Sequence, residues 1–318
     1  MIYLKKNVFL CIQRIMHIVL YSRPDRMGSN LSWYIMQLIY AHYVGCHIYY
    51  IHVKYDNSIF VKALLKYIDR HNASLHEKNV PYEPCFYLIE ESEQDWPGNN
   101  MKVCKAIECD LYSYFKNHLY QPIREIMNSL AIERNYFSNI DFNPEKTICV
   151  HLRLDDVINR FDYEGIFSTK YYREKLNNGN INIDLEEERV FMENQGIRIR
   201  GWGRTYNPYD CQAPIAENRI QEIINQAKDK YPDHEIVIVA SPSGNEIGLP
   251  YRCIRSEDPD FDLFMLCNCN VLICSRSLFC FSSTYLGTAT DVYIPMWGHI
   301  TGTGLTTKYD QANLNYWY

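Results

Sequence analysis

Four short apolar runs in the second half of the chain are separated by stretches of helical character, and this alternation constrains the fold more than any other feature. The runs are Thr147–Leu152, Glu235–Ala240, Val271–Ser275 and Val292–Pro295. Between them, Ala216–Lys230, Asp260–Cys269 and Ser282–Thr288 read as helices. A short, nearly continuous apolar run suits a strand covered on both faces, which is the condition of a parallel sheet flanked by its crossover helices. The order therefore predicts an α/β fold.

The first half starts the same way. Ile15–Tyr21 predicts a strand, Ser22–Asn30 a turn, Leu31–Val44 a helix stopped by Gly45, and His47–Val53 a second strand. Further helix is predicted over Ser58–His71 and Lys102–Leu130, with a polar loop at Glu90–Asn100 and an irregular insertion at Asn177–Tyr209. With 318 residues, 47% of them hydrophobic, the chain can bury two cores. The expected domains are 1–145 and 146–318, with a ligand in the cleft between them, outside the carboxyl ends of the strands.

Charge and cysteine usage narrow the function. A net charge of -6 excludes a general polyanion binder, so no nucleic-acid partner is expected. Cys267, Cys269, Cys274 and Cys280 lie in an apolar stretch, where free cysteine acts as a small hydrophobe. Cys267-Asn268-Cys269 has the wrong spacing for a zinc knuckle, and no metal site is expected. Val8–Tyr21 is apolar but broken by Gln13, Arg14 and His17. It fits neither a membrane span nor a signal peptide, so the expectation is a cytoplasmic protein without a membrane span. The 27 tyrosines suit sugar-binding clefts and ordinary half-buried surfaces alike.

The strongest local signal for chemistry is His151-Leu152-Arg153-Leu154-Asp155-Asp156, an apolar strand that ends in His, Arg and two Asp. Arg153 offers a planar fork of donors for bidentate phosphate binding, and a neighbouring aspartate can hold that fork in place. A strand-end salt bridge would use the same residues.

The His-x-Arg-x-x-Asp pattern at 151–156 resembles the first donor motif of the α1,2-, α1,6- and protein O-fucosyltransferase superfamily. Val237–Asn245 resembles the second motif, a strand ending in small polar residues. Asp262–Leu286 resembles the third, in which an acidic residue, a helix and an apolar strand lead to a hydroxyl-rich turn and another helix. Arg26-Met27-Gly28-Ser29-Asn30-Leu31 resembles the glycine–asparagine loop that opens these enzymes. The four stretches occur in the family's order and span most of the chain.

The resemblance implies a GT-B fold of two Rossmann-like lobes facing across a cleft. It also implies GDP-fucose as donor substrate, a glycan acceptor, inversion at the sugar carbon, and no cofactor or required metal. By the same resemblance Arg153 binds the donor diphosphate, Asp156 braces the motif and His151 lines the pocket. Asp262 pairs with the guanine edge, and Ser277 and neighbouring amides hold phosphate oxygens. Ser241 and Ser275 at the ends of their strands, and Gly28 and Asn30 in the opening loop, complete the donor set. Asp162, with Asp25 as competitor, is the candidate general base.

The chain departs from the family at several of these positions. Leu154 stands where many relatives carry a second arginine, and Arg200, Arg204 and Arg276 are candidates to replace it. Pro242 and Ser243 stand where the second motif often has aspartates, and Leu278 and Cys280 where the third has hydroxyl residues. These differences keep two alternatives open: a GT-B transferase with another nucleotide-sugar, and a non-catalytic carbohydrate-binding protein on the same fold. Trp202 suits stacking on a sugar ring or covering the insertion, and Gly298–Gly304 reads as a C-terminal loop.

Overall fold

The computed structural model describes residues 17–22, 26–77, 86–87, 110–154, 173–179, 181, 187, 190–191, 194, 215–242, 246–297 and 313–317. The chain divides into two compact units, Met1–Arg134 and Asn135–Tyr318. Each is an α/β layer with a parallel sheet.

In the first unit the described elements are β1 (His17–Tyr21), α1 (Met27–Val44), β2 (Ile48–Ile51), α2 (Ile59–Glu77), β3 (Phe86–Tyr87), α3 (Leu111–His118) and α4 (Tyr120–Glu133). The sheet order is β2-β1-β3, with Ile18 opposite Ile48 on one side and His17 opposite Phe86 on the other. Gly45 ends α1 at φ 69°, and its N–H donates to Ala41 O. This is the left-handed cap that glycine adopts without a Cβ penalty.

Helix α1 starts at Met27, four residues before the expected Leu31. Gly28, Ser29 and Asn30 are weak helix formers, but tertiary bonds hold them. Asn30 Nδ2 donates to Arg26 O at 3.1 Å, and Tyr34 links Asn30 to the Ser22 hydroxyl 2.7 Å away. Helix α2 runs past His71 to Glu77 because Asn72 pins it to β2, exchanging hydrogen bonds of 3.0 and 2.7 Å with the N–H and C=O of Ile48. The long helix expected over 102–130 is broken at Leu119 into α3 and α4, and 101–109 lie outside the described residues.

The second unit contains α5 (Tyr136–Asn139), β4 (Thr147–Leu152), α6 (Glu217–Lys230), β5 (Glu235–Ala240), β6 (Arg252–Ile254), α7 (Pro259–Cys267), β7 (Val271–Ile273), α8 (Leu278–Leu286), β8 (Asp291–Pro295) and β9 (Asn313–Trp317). Its six strands pair in parallel in the order β6-β5-β4-β7-β8-β9. Counted along the chain, that is third, second, first, fourth, fifth, sixth.

The period of two along β4 splits its side chains between two layers. Ile148, Val150 and Leu152 pack with Ile220, Ile223, Ile224 and Ala227 of α6, each buried isoleucine contributing about 1.5–3 kcal/mol. Cys149 and His151 face the opposite layer, where the Cys149 thiol reaches Met265 O of α7 and the His151 ring lies 5.7 Å from that of Phe279 of α8. Cys267, Cys269, Cys274 and Cys280 are buried there as free thiols, as composition led us to expect. Strands β6 and β9 were not expected. Both are short edge strands with exposed positions, so neither carries the apolar run that marks β4, β5, β7 and β8.

Candidate functional site

The strand order of the second unit reverses direction between β4 and β7. The chain builds outward from β4 through β5 to β6, then crosses back to continue on the other side through β7. Loops leaving two neighbouring strands in opposite directions open a crevice at their carboxyl ends, where α/β sheets of this winding bind ligands. His151 and Arg153 stand at the end of β4, and Ser275, Arg276 and Ser277 follow β7.

The two strand ends are tied together. His151 Nδ1 and the Ser275 hydroxyl are 2.6 Å apart, and the Cys280 thiol also hydrogen-bonds His151. Arg153 Nη1 lies 3.5 Å from the Arg276 carbonyl. Ser277 is the extended N-cap residue of α8, and its side chain makes no capping bond. The first-turn amides of a nine-residue helix therefore start at the crevice without a hydroxyl cap, beside two arginines. Unpaired helix N–H groups and the helix dipole both favour an anion.

The cleft at this point is lined by His151, Arg153, Leu154, Glu217, Ser275 and Arg276, among others. Glu217 opens α6, and its carboxylate accepts the Gly248 N–H at 2.8 Å and 3.1 Å. A Cβ on Gly248 would stand 2.5 Å from the Glu217 carboxylate, so glycine permits this close approach. At the end of β5, the Ser241 carbonyl accepts Arg255 Nη1 at 2.9 Å, which brings a third arginine to the carboxyl edge.

The start of α7 has the opposite character. Asp258 is its N-cap, accepting Asp260 N–H at 2.9 Å and the Tyr136 hydroxyl at 2.5 Å. Asp262, one turn on, is only 7% exposed. One of its carboxylate oxygens takes the Ser256 backbone N–H, and Oδ1 makes no hydrogen bond among the described residues. Burial, reinforced by the nearby Asp258 charge, raises its pKa from 3.8 to about 7. A buried acceptor of this kind calls for a hydrogen-bond donor. Among the described residues no group of three or more His, Cys, Asp or Glu is placed to hold a metal ion, and no helix is long and apolar enough to cross a membrane.

No family model and no curated protein matches this chain. Among solved structures it is similar to the apo-form crystal structure of POFUT1, protein O-fucosyltransferase 1. The TM-score is 0.39 at 10% identity, and the match covers 95% of this chain and 97% of that one. That likeness is too distant to carry function.

Of the residues expected at the site, the structure brings His151, Arg153, Ser275 and the candidate second arginine Arg276 to one cleft. Ser277 begins the adjoining helix, Ser241 ends β5, and Asp262 lies in the first turn of α7. Gly28 and Asn30 belong to the first unit, within α1. Both are buried, and the Asn30 amide is hydrogen-bonded to the Arg26 carbonyl and the Tyr34 hydroxyl in the first turns of α1. Asp25, Asp156 and Asp162 lie outside the described residues, as do Arg200, Trp202, Arg204 and 298–304.

Glu217 and Arg255 were not expected. An acid in the first turn of a helix is common for dipole reasons alone, which conceals Glu217. Arg255 follows a strand too short to read, although an arginine one residue past a strand was the available signal.

Proposed function

We propose that this protein is an inverting glycosyltransferase that passes fucose from GDP-fucose to a glycan hydroxyl, with its two units as the Rossmann-like lobes of a GT-B enzyme. The observation that carries this reading is the placement of Arg153 and the uncapped start of α8 on the two sides of the switch point. The resemblance of 151–156, 237–245 and 262–286 to the three donor motifs supplies the choice of donor.

In this reaction the acceptor oxygen bonds to the anomeric carbon as the bond from that carbon to the diphosphate oxygen breaks. The leaving GDP takes the electron pair, and the acceptor hydroxyl loses its proton. Negative charge grows on the departing phosphate, where fixed donors are most effective. The Arg153 fork and the α8 amides fill that role. His151 is a positioning residue, since its imidazole is engaged by the Ser275 hydroxyl and the Cys280 thiol. Asp262 meets the base: guanine presents N1–H and an exocyclic amine side by side, and one carboxylate accepts both. Asp162 and Asp25 are the sequence's candidates for the base that receives the acceptor proton. The free, buried cysteines support a reducing, cytoplasmic setting.

A thermal-shift panel of GDP, UDP, CMP and their sugars, with and without chelator, tests the reading. A ligand at a hundred times its Kd stabilises the folded state by about 2.7 kcal/mol. Selective stabilisation by GDP, unaffected by chelator, is expected. A UDP or CMP preference would reassign the donor, and loss of the effect in chelator would overturn metal independence. Slow hydrolysis of GDP-fucose without acceptor distinguishes a transferase from a carbohydrate-binding protein.

A further inference from the structure

Every other charged side chain lining the switch-point cleft among the described residues is cationic or a neutral-capable imidazole, which makes Glu217 the exception. It is exposed to solvent, yet it is not a loose surface acid, because the Gly248 N–H holds both carboxylate oxygens. The absent Cβ at Gly248 is what allows that grip. A carboxylate offers about four acceptor positions, and one N–H leaves most of them available. Beside Arg153 and Arg276 it would repel a phosphate, so its complement is a neutral group with hydroxyl donors. The end of β5, where α/β nucleotide sites commonly place an acid for ribose, carries Ser241 and Pro242.

From this placement we infer that Glu217 recognises a vicinal diol of the bound nucleotide-sugar, with Gly248 as the residue that positions it. This rests on the donor reading above. A vicinal diol occurs both on the ribose and on the donor sugar, and two ligand pairs separate them: GDP against 2′-deoxy-GDP, and GDP-fucose against GDP.

The experiment is calorimetric titration of the full chain, as wild type, Glu217→Gln and Gly248→Ala, with all three ligands. Hydrogen bonds to a charged group set the expected effect at about tenfold or more per lost contact. Wild type should bind GDP about tenfold more tightly than 2′-deoxy-GDP, and Glu217→Gln should bring the two together while leaving 2′-deoxy-GDP affinity nearly unchanged. Gly248→Ala, which displaces the carboxylate without removing it, should shift the ratio the same way. If the preference that collapses is GDP-fucose over GDP, the diol recognised is that of the sugar. Ratios unchanged in both variants while GDP still binds would overturn the role of Glu217 alone. Failure of wild type to bind any of the three would overturn the donor reading and this inference with it.

Discussion

Replacing Asp262 by asparagine should stabilise the protein, and by an amount that depends on pH. Asp262 is buried, accepts one backbone N–H, and has its pKa raised from 3.8 to about 7. A carboxyl whose folded-state pKa lies above its unfolded value contributes stability below the unfolded pKa and loses it as pH rises through the folded one. The unfolded chain gives up the proton from about pH 4, whereas the folded protein keeps it until about pH 7. The difference of about three pH units is worth about 4 kcal/mol, fully lost above pH 7.

Asparagine is close in shape and never ionises, and its amide can donate toward the Asp258 carboxylate. Relative to wild type, Asp262→Asn should gain about 1 kcal/mol at pH 4.5 and about 4 kcal/mol at pH 8.5, the second figure an upper bound. Urea denaturation at the two pH values, with equal slopes for both proteins, measures it. Equal stabilisation at both pH values, or destabilisation at pH 8.5, would refute a buried, reluctantly ionised carboxyl. Under the proposed guanine contact the carboxylate must be ionised, so GDP affinity should rise more steeply from pH 6 to pH 8 in the wild type than in the variant, where only the phosphate titrates.

Arg153→Lys keeps the charge and loses the fork. Turnover of GDP-fucose should fall a hundred- to thousand-fold, matching about 2.7–4 kcal/mol of transition-state stabilisation for one preorganised donor, with an unchanged thermal midpoint; near-normal turnover would remove Arg153 from the mechanism. Gly287→Ala should destabilise by about 1–3 kcal/mol, because its Cβ would meet the Ser283 carbonyl at 2.5 Å and Cys267 Cα at 3.1 Å, both backbone. Gly248→Ala meets only the side-chain end of Glu217, which can swing aside where backbone cannot, and should cost far less stability. Denaturation midpoints of the two alanine variants, measured side by side, check that contrast.

The parts of this molecule legible in its sequence are those whose signal is local. Strand β5 was readable at its true bounds and β4 likewise, because strands buried on both faces announce themselves as apolar runs. The start of α8 was expected at Ser282 and lies at Leu278, since Leu278-Phe279-Cys280-Phe281 is apolar throughout and shows no helical period. Arg153 could be picked out by type and position at a strand end, and Ser275 and Asp262 only through the resemblance to the donor motifs. Their grouping could not, because the strand order depends on a crossover that no single segment encodes. Glu217 needed the structure for a further reason. Its role depends on the amide of Gly248, thirty-one residues away and invisible as a residue type.

The layer of thiols behind β4 makes the second unit its own reporter. Cys149, Cys267, Cys269, Cys274 and Cys280 are essentially sealed from solvent, whereas Cys253 on the edge strand β6 is open to it. The Cys269 thiol hydrogen-bonded to Cys149, together with burial, drives the Cys149 thiol well above its usual ionisation range, and burial does the same for Cys280, leaving almost no thiolate to react. Among the described cysteines of the second unit, a thiol reagent should therefore mark Cys253 at once and reach the other five only when the helices lift from the sheet. The lag between the two populations would time the opening of the layer that holds the cleft, without any label having to be engineered into the chain.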